Sequence, residues 1–240
     1  MSKEEKGRDA FRKLMANEIE CRVATVKAPT VTQNGEYSGG GWSILLYKDA
    51  RVDMRLLDEK FGPMGWKREH QTIDGRLYCT ISVYCERLQQ WVSKQDVGTE
   101  SYTEKEKGQA SDSFKRAGFN WGIGRELYTA PFIWINGKGK GDWRNQGGKM
   151  VPAVELYVSD IEYKDDVISY LQLKDKNGNV RYTFGYAESE KLDYDLACDE
   201  MERATSLEQV REVWNKYPSL KNDRRFVEIC TRRGNELKVA

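Results

Sequence analysis

"GRLYCTISVYCERL", residues 75–88, decides the fold. Leu77, Cys79, Ile81 and Val83 recur at every second position, the period of a strand that buries one face. "QQWVSKQDVGTES" (89–101) follows as another extended segment with Trp91 and Val97, so the two read as parts of a β-meander. Upstream, "CRVATVKA" (21–28) alternates and "GWSILLYK" (41–48) is a short apolar run. "ARVDMRLLDEKFG" (50–62) has helical spacing through Val52, Leu56, Leu57 and Phe61. A long helix is expected over 104–119. The order strand, strand, helix, meander, helix predicts an α+β fold, an antiparallel β-meander packed on a long helix.

The flanks complete the layout. Residues 1–20 read as a charged helix with Phe11, Leu14 and Met15 as its apolar stripe. After Tyr128, "INGKGKGDWRNQGGKM" (135–150) is glycine-rich and basic and reads as a mobile loop. "VELYVSDIEY" (154–163) and "ISYLQLKDKNGNVRYTFGY" (168–186) read as strands, with a turn at "KNGN". Residues 188–202 hold seven acidic side chains against one lysine, the mark of an exposed junction. The last segment predicts a helical pair: Ser206 and Gln209 form a capping-box phrase, Val210, Val213, Trp214 and Tyr217 follow helical spacing, and Pro218 ends the first helix. Phe226, Ile229, Cys230 and Leu237 supply the apolar face of the second. The expected organisation is a domain over 1–187, with its core at about 20–130, a basic loop at 137–149 and an extra β-hairpin at 151–186. An acidic linker over 188–202 and a C-terminal helical segment over 203–240 follow.

Composition removes several classes of function. With 39 Lys+Arg against 38 Asp+Glu in 240 residues, the net charge of +1 points to no partner, and only a local basic surface would indicate nucleic acid. The five cysteines (Cys21, Cys79, Cys85, Cys198, Cys230) are scattered without a C-x-x-C pair and His70 is the single histidine, so no zinc site is expected. Their odd number and wide spacing read as free thiols in a reducing cytoplasm. No signal peptide or membrane span is recognised, which predicts a soluble, cytoplasmic protein. "GKGKGDW" lacks P-loop spacing, and "GIGREL" lacks the third glycine of a dinucleotide fingerprint. His70 reads as a surface residue rather than a base, and no catalytic constellation, cofactor site or metal site stands out.

What remains is a local excess of positive charge. Between 105 and 149 there are nine basic residues (Lys105, Lys107, Lys115, Arg116, Arg125, Lys138, Lys140, Arg144, Lys149) and four acidic ones (Glu106, Asp112, Glu126, Asp142). On a helix, Lys107, Ser111 and Lys115 form one stripe and Asp112 with Arg116 the next. Ala110, Phe114 and Ala117 face the sheet, so the cations are expected to point away from the core. Such a surface suits a sugar-phosphate backbone, although a Lys-Arg pair on a helix is more often merely solvated. Trp143 in the basic loop is a candidate for stacking on a base.

The ordered set of phrases carries more. "YKDARVDMRLLDEKFGPMGWKRE" (47–69), "GRLYCTISVYCERL" and "DVGTESYTEKEKGQASDSFKRAGFNWGIGRELY" (96–128) resemble the annealing domain of the Rad fifty-two family, including the Sak-type proteins of bacteriophages. The resemblance follows F-G-x-x-G-W at Phe61–Trp66, a meander, the segment Gly98–Tyr102, and A-x-x-x-x-K-R-A at Ala110–Ala117, over roughly residues 20–130. It implies an ATP-independent protein of homologous recombination and DNA repair. Such proteins form homo-oligomeric rings, hold single-stranded DNA in a basic groove and pair complementary strands into a duplex. Lys115 and Arg116 match that family's groove-lining pair; Lys107 and, near the first hairpin, Lys48 are further candidates. "FNWGIG" departs from the more basic phrase expected after the pair. The C-terminal helices resemble tails of phage recombination proteins that contact partners such as the host single-strand-binding protein, in the bacterial cytoplasm. A non-annealing single-strand-binding protein and a nuclease are the alternatives.

Overall fold

The computed structural model describes residues 10–99 and 105–239, with side chains except at 105–107, 188–191, 222, 224 and 239. The chain is α+β and divides into two compact units between Phe184 and Gly185.

In the first unit, β5 (Trp66–Ile73), β6 (Arg76–Cys85) and β7 (Gln90–Val97) form an antiparallel meander. Helix α2 (Lys105–Trp121) packs on β6 and β7. Alternation in β6 turns Cys79, Ile81 and Val83 inward, where they join Phe114 and Ala117 of α2 in one core. Burying an Ile or Phe side chain stabilises by about 1.5–3 kcal/mol. Polar locks fix the helix against the sheet: the Trp121 indole N–H donates to the Ile81 carbonyl at 3.1 Å, and Lys94 donates to the Asn120 carbonyl at 2.9 Å. Trp66 of the F-G-x-x-G-W phrase stacks on Phe114 at 6.2 Å and donates to Asp58 at 2.7 Å, tying helix α1 (Ala50–Phe61) to the same layer. The segment Gly98–Tyr102 lies outside the described residues beyond Thr99.

A second, larger sheet has six antiparallel strands in the order β13-β12-β11-β1-β4-β8. These are β1 (Glu20–Lys27), β4 (Gly41–Tyr47), β8 (Ile133–Asn136), β11 (Leu156–Lys164), β12 (Val167–Asp175) and β13 (Val180–Phe184). The small pair β2 (Thr30–Val31) and β3 (Tyr37–Ser38) sits between β1 and β4 in sequence. Strands β1 and β11 meet only at Glu20 and Tyr157, and the Tyr182 hydroxyl reaches the Phe132 carbonyl at 3.3 Å, so the sheet nearly closes on itself. Residues 151–186 are therefore no appendage; they supply half of this sheet, because Val158, Ile168, Leu171 and Leu173 complete the core around Trp42, Ile44 and Ile133.

Three other expectations are corrected. Residues 10–19 are not helical apart from one 3₁₀ turn (Ala16–Glu18), and residues 1–9 lie outside the described residues. Leu14 is buried in the core and its N–H donates to Glu126 at 2.8 Å, a tertiary contact that overrides local periodicity. The basic loop is ordered: a 3₁₀ turn (Lys140–Asp142) leads into the hairpin of β9 (Trp143–Gln146) and β10 (Lys149–Pro152). Asp142 holds it, accepting the Lys138 N–H at 2.6 Å and two bonds from Arg181 at 3.0 and 2.7 Å. Trp143 is buried, edge-on to Trp42 at 5.4 Å, and is not a stacking platform for DNA.

The second unit is a three-helix assembly, α3 (Glu188–Arg203), α4 (Leu207–Lys216) and α5 (Arg224–Val239). The acidic stretch is thus a helix rather than a linker. Tyr194, Ala197, Cys198 and Met201 recur at helical spacing and pack with Val213, Tyr217, Phe226 and Cys230, leaving much of the acid on the solvent side. Ser206 caps α4 by accepting the Gln209 N–H at 3.2 Å, while the Gln209 side chain accepts the Thr205 N–H at 2.7 Å.

Candidate nucleic-acid interface

Lys115 and Arg116 follow Phe114 on α2, and packing of Phe114 and Ala117 on the meander turns them toward the other side of the helix. Their environments differ. Arg116 is exposed and its Nε donates to Asp96 of β7 at 3.2 Å, so its guanidinium is held along the meander. Lys115 is half-buried at a cavity of about 400 Å³ between β4 and the segment after α2. Leu45 and Tyr47 of β4, Phe119, Leu127, Tyr128 and Pro131 form much of its wall. Phe119 and Tyr128 contact each other at 4.7 Å between ring centres.

The floor explains two of the three glycines in "AGFNWGIG". Lys48, expected as a DNA contact, is 7% exposed and its ammonium is paired with Asp53 of α1, which is fully buried. Buried and already paired, it offers no charge to a phosphate at the surface. A Cβ on Gly118 would collide with the Asp53 carboxylate, and one on Gly124, whose φ is +73°, would meet the Lys48 stem at 2.5 Å. The departure from a more basic phrase thus makes room for a buried ion pair. Burial pushes the Asp53 carboxyl up to about 6 against the pull of Lys48, and the same burial lowers the Lys48 ammonium.

The remaining cations fall into separate groups. Arg125 is exposed, but it donates to the Phe119 and Asn120 carbonyls at 2.9 and 2.8 Å and sits 5.5 Å from the Phe119 ring. It caps the C-terminal end of α2, where a cation also offsets the helix dipole. The side chains of Lys105 and Lys107 lie outside the described residues. Lys138, Lys140, Arg144 and Lys149 are all exposed, on a loop that leaves β8 where Asn136 pairs with Gly41. The cavity is lined by β4 from Ile44 to Tyr47, so roughly 10 Å of strand at the usual rise separates its nearer edge from that loop. Two clusters replace the single patch expected from the sequence.

Burial also changes the charge balance. Of the four acids between 105 and 149, Glu126 is 1% exposed beneath the Leu14 amide and Asp142 is buried against Arg181, which it shares with Asp175, so neither presents its carboxylate at the surface. Asp112 remains at the cavity, with one carboxylate oxygen accepting both the N–H and the hydroxyl of Thr99 at 2.9 Å. One cation was missed: Arg22 of β1 faces Leu45 across the ladder and lies 4.9 Å from the Tyr47 ring, with Glu20 as its partner. No local signal in "CRVATVKA" marks it, since only the β1–β4 register brings it there.

His70 is exposed on β5, with Nε2 3.3 Å from the Ala110 carbonyl. Among the described residues no group of three or more His, Cys, Asp or Glu side chains could hold a metal ion, and no helix is long and apolar enough to cross a membrane. All five cysteines are free thiols. Compared with known proteins, the chain matches no family model and no curated sequence.

Proposed function

We propose that this chain is an ATP-independent single-strand annealing protein of the Rad fifty-two type, acting in recombination. The observation that carries the reading is Lys115 at the mouth of the cavity beside an exposed Arg116, on a helix whose other face is anchored in the meander. Cations on a rigid element hold the phosphates and leave base edges free, and an extended strand pays less entropy when it samples a complement. Base pairing then drives the reaction without nucleotide hydrolysis.

Assembly into a ring finds support in β1, whose edge from Cys21 to Lys27 has no partner strand opposite β4 among the described residues, with Val23 and Val26 exposed on it. The three-helix unit, with a small groove between Val210, Trp214 and Cys230, is the candidate site for a protein partner such as a single-strand-binding protein.

The test is annealing of two complementary oligonucleotides without ATP by wild type and by Lys115→Ala/Arg116→Ala, after both are shown to assemble to the same mass. Wild type accelerates duplex formation, and the double variant binds weakly and does not. Equal annealing by both rejects the groove. Binding without acceleration by wild type makes this a plain single-strand-binding protein, and magnesium-dependent cleavage makes it a nuclease.

A further inference from the structure

We infer that the cavity beside Lys115 is a pocket for one unpaired nucleobase of the bound strand. The inference rests on the single-strand-binding reading above and adds a contact to the base where that reading requires only phosphate contacts.

Three observations converge on this occupant. The volume of about 400 Å³ falls in the range of small-ligand sites, which are apolar with a few polar groups at the edge. Its lining suits a planar ring: Leu45 and Tyr47 of β4 contribute to it together with the Phe119–Tyr128 pair, and Tyr128 is 77% exposed although it is aromatic. The charge at the rim suits what a base is attached to. Lys115 and Arg116 line the same cavity, so a base between the aromatic walls would leave its own phosphate beside them. Among the described residues Asp112 is the one acid that lines the cavity, and its carboxylate is engaged by Thr99. Lys48, paired with Asp53, closes the floor.

A second aromatic pair continues the surface along the chain. Phe132, also 77% exposed, stacks on Trp134 at 6.3 Å with only 17° between the rings. Exposed aromatics next to cations are the combination that holds single strands without sequence preference, since every base has a flat face. A strand gripped by one base at each copy of the site presents the bases between the grips for pairing.

The experiment compares the full chain bound to a thymidine homo-oligonucleotide and to an abasic strand of equal length and charge, with quenching of a 2-aminopurine base as a second readout. Wild type is expected to prefer the base-bearing strand by about 5- to 150-fold, the range of one stacked base. Tyr128→Ala removes most of that preference and the quenching, leaving abasic binding and the salt slope unchanged; Tyr128→Phe retains both. Lys115→Ala/Arg116→Ala weakens both strands alike. If wild type binds the two strands equally while the double variant still loses both, the base pocket is overturned and the phosphate groove stands. If wild type binds neither, both readings fall. If Tyr128→Ala changes the assembled mass but not the preference, the face is a contact between copies and the pocket is overturned.

Discussion

Gly118 of α2 lies directly against the carboxylate of Asp53 in α1, with no space between them for a Cβ. Alanine would ordinarily stabilise a helix interior by about 1 kcal/mol over glycine. Here the added methyl must displace a buried, ion-paired carboxylate, and such overpacking costs about 1–3 kcal/mol. Gly118→Ala is therefore expected to lower stability on balance, read as a lower urea midpoint with an unchanged slope. A raised midpoint would show that α1 and α2 are not packed this closely.

The Lys48–Asp53 pair makes a prediction about pH. The folded Asp53 carboxyl titrates at about 6, above its unfolded value near 4, so the native state binds the extra proton between those values. Stability from this group is fully present below the unfolded value and is lost as pH rises through about 6. Asp53→Asn lacks this dependence. The stability difference, wild type minus variant, should therefore shift toward wild type between pH 7 and pH 4, by roughly 3 kcal/mol from the Asp53 carboxyl itself. Paired denaturation curves at the two pH values measure it; a difference that stays constant would mean Asp53 is not held up by burial.

Asp96 restrains Arg116. Exposed ion pairs are worth about 1 kcal/mol or less, so freeing the guanidinium has a modest effect. Asp96→Asn removes the charge and leaves a single acceptor oxygen where Asp96 offers one to Arg116 and another to the Asn120 amide. Single-strand binding should tighten by up to about fivefold, and the salt slope should steepen by up to about 0.7, the value for one added phosphate contact. Fluorescence anisotropy across a salt series reads both. Weaker binding by this variant would place the strand away from Arg116.

Arg181 holds the basic loop in place through Asp142, and both side chains are nearly buried. Removing one partner of a buried pair costs about 3–5 kcal/mol, because the other charge is left uncompensated. Arg181→Ala should destabilise the chain by an amount in that range. It should also abolish hydrogen-exchange protection at the Lys138 amide, which donates to Asp142 at 2.6 Å. Protection retained at Lys138 would mean that the 3₁₀ turn, rather than the ion pair, orders the loop.

Much of the secondary structure was legible because its signals are local. In the alternation of Leu77, Cys79, Ile81 and Val83 and the helical spacing of Ala110, Phe114 and Ala117, all but the half-buried Leu77 and Ala110 reappear buried on one face of β6 and of α2. The stretch 188–202 was misread because its seven acids obscured Tyr194, Ala197, Cys198 and Met201, a helical stripe in plain view. "INGKGKGDWRNQGGKM" looked mobile because its anchor, Arg181, lies in a strand 39 residues beyond Asp142.

From the sequence alone came the α+β class, the position of the long helix and the placing of Lys115 and Arg116 off its sheet-facing side. Each depends on periodicity within a few turns or residues. Which cations remain available to a ligand was decided only by the tertiary structure. Lys48 is buried because α1 brings Asp53 to it, while Glu126 and Asp142 leave the surface because Leu14 and Arg181 reach them from far along the chain. Burial and charge pairing are set by partners distant in sequence, and no local pattern of charges records them.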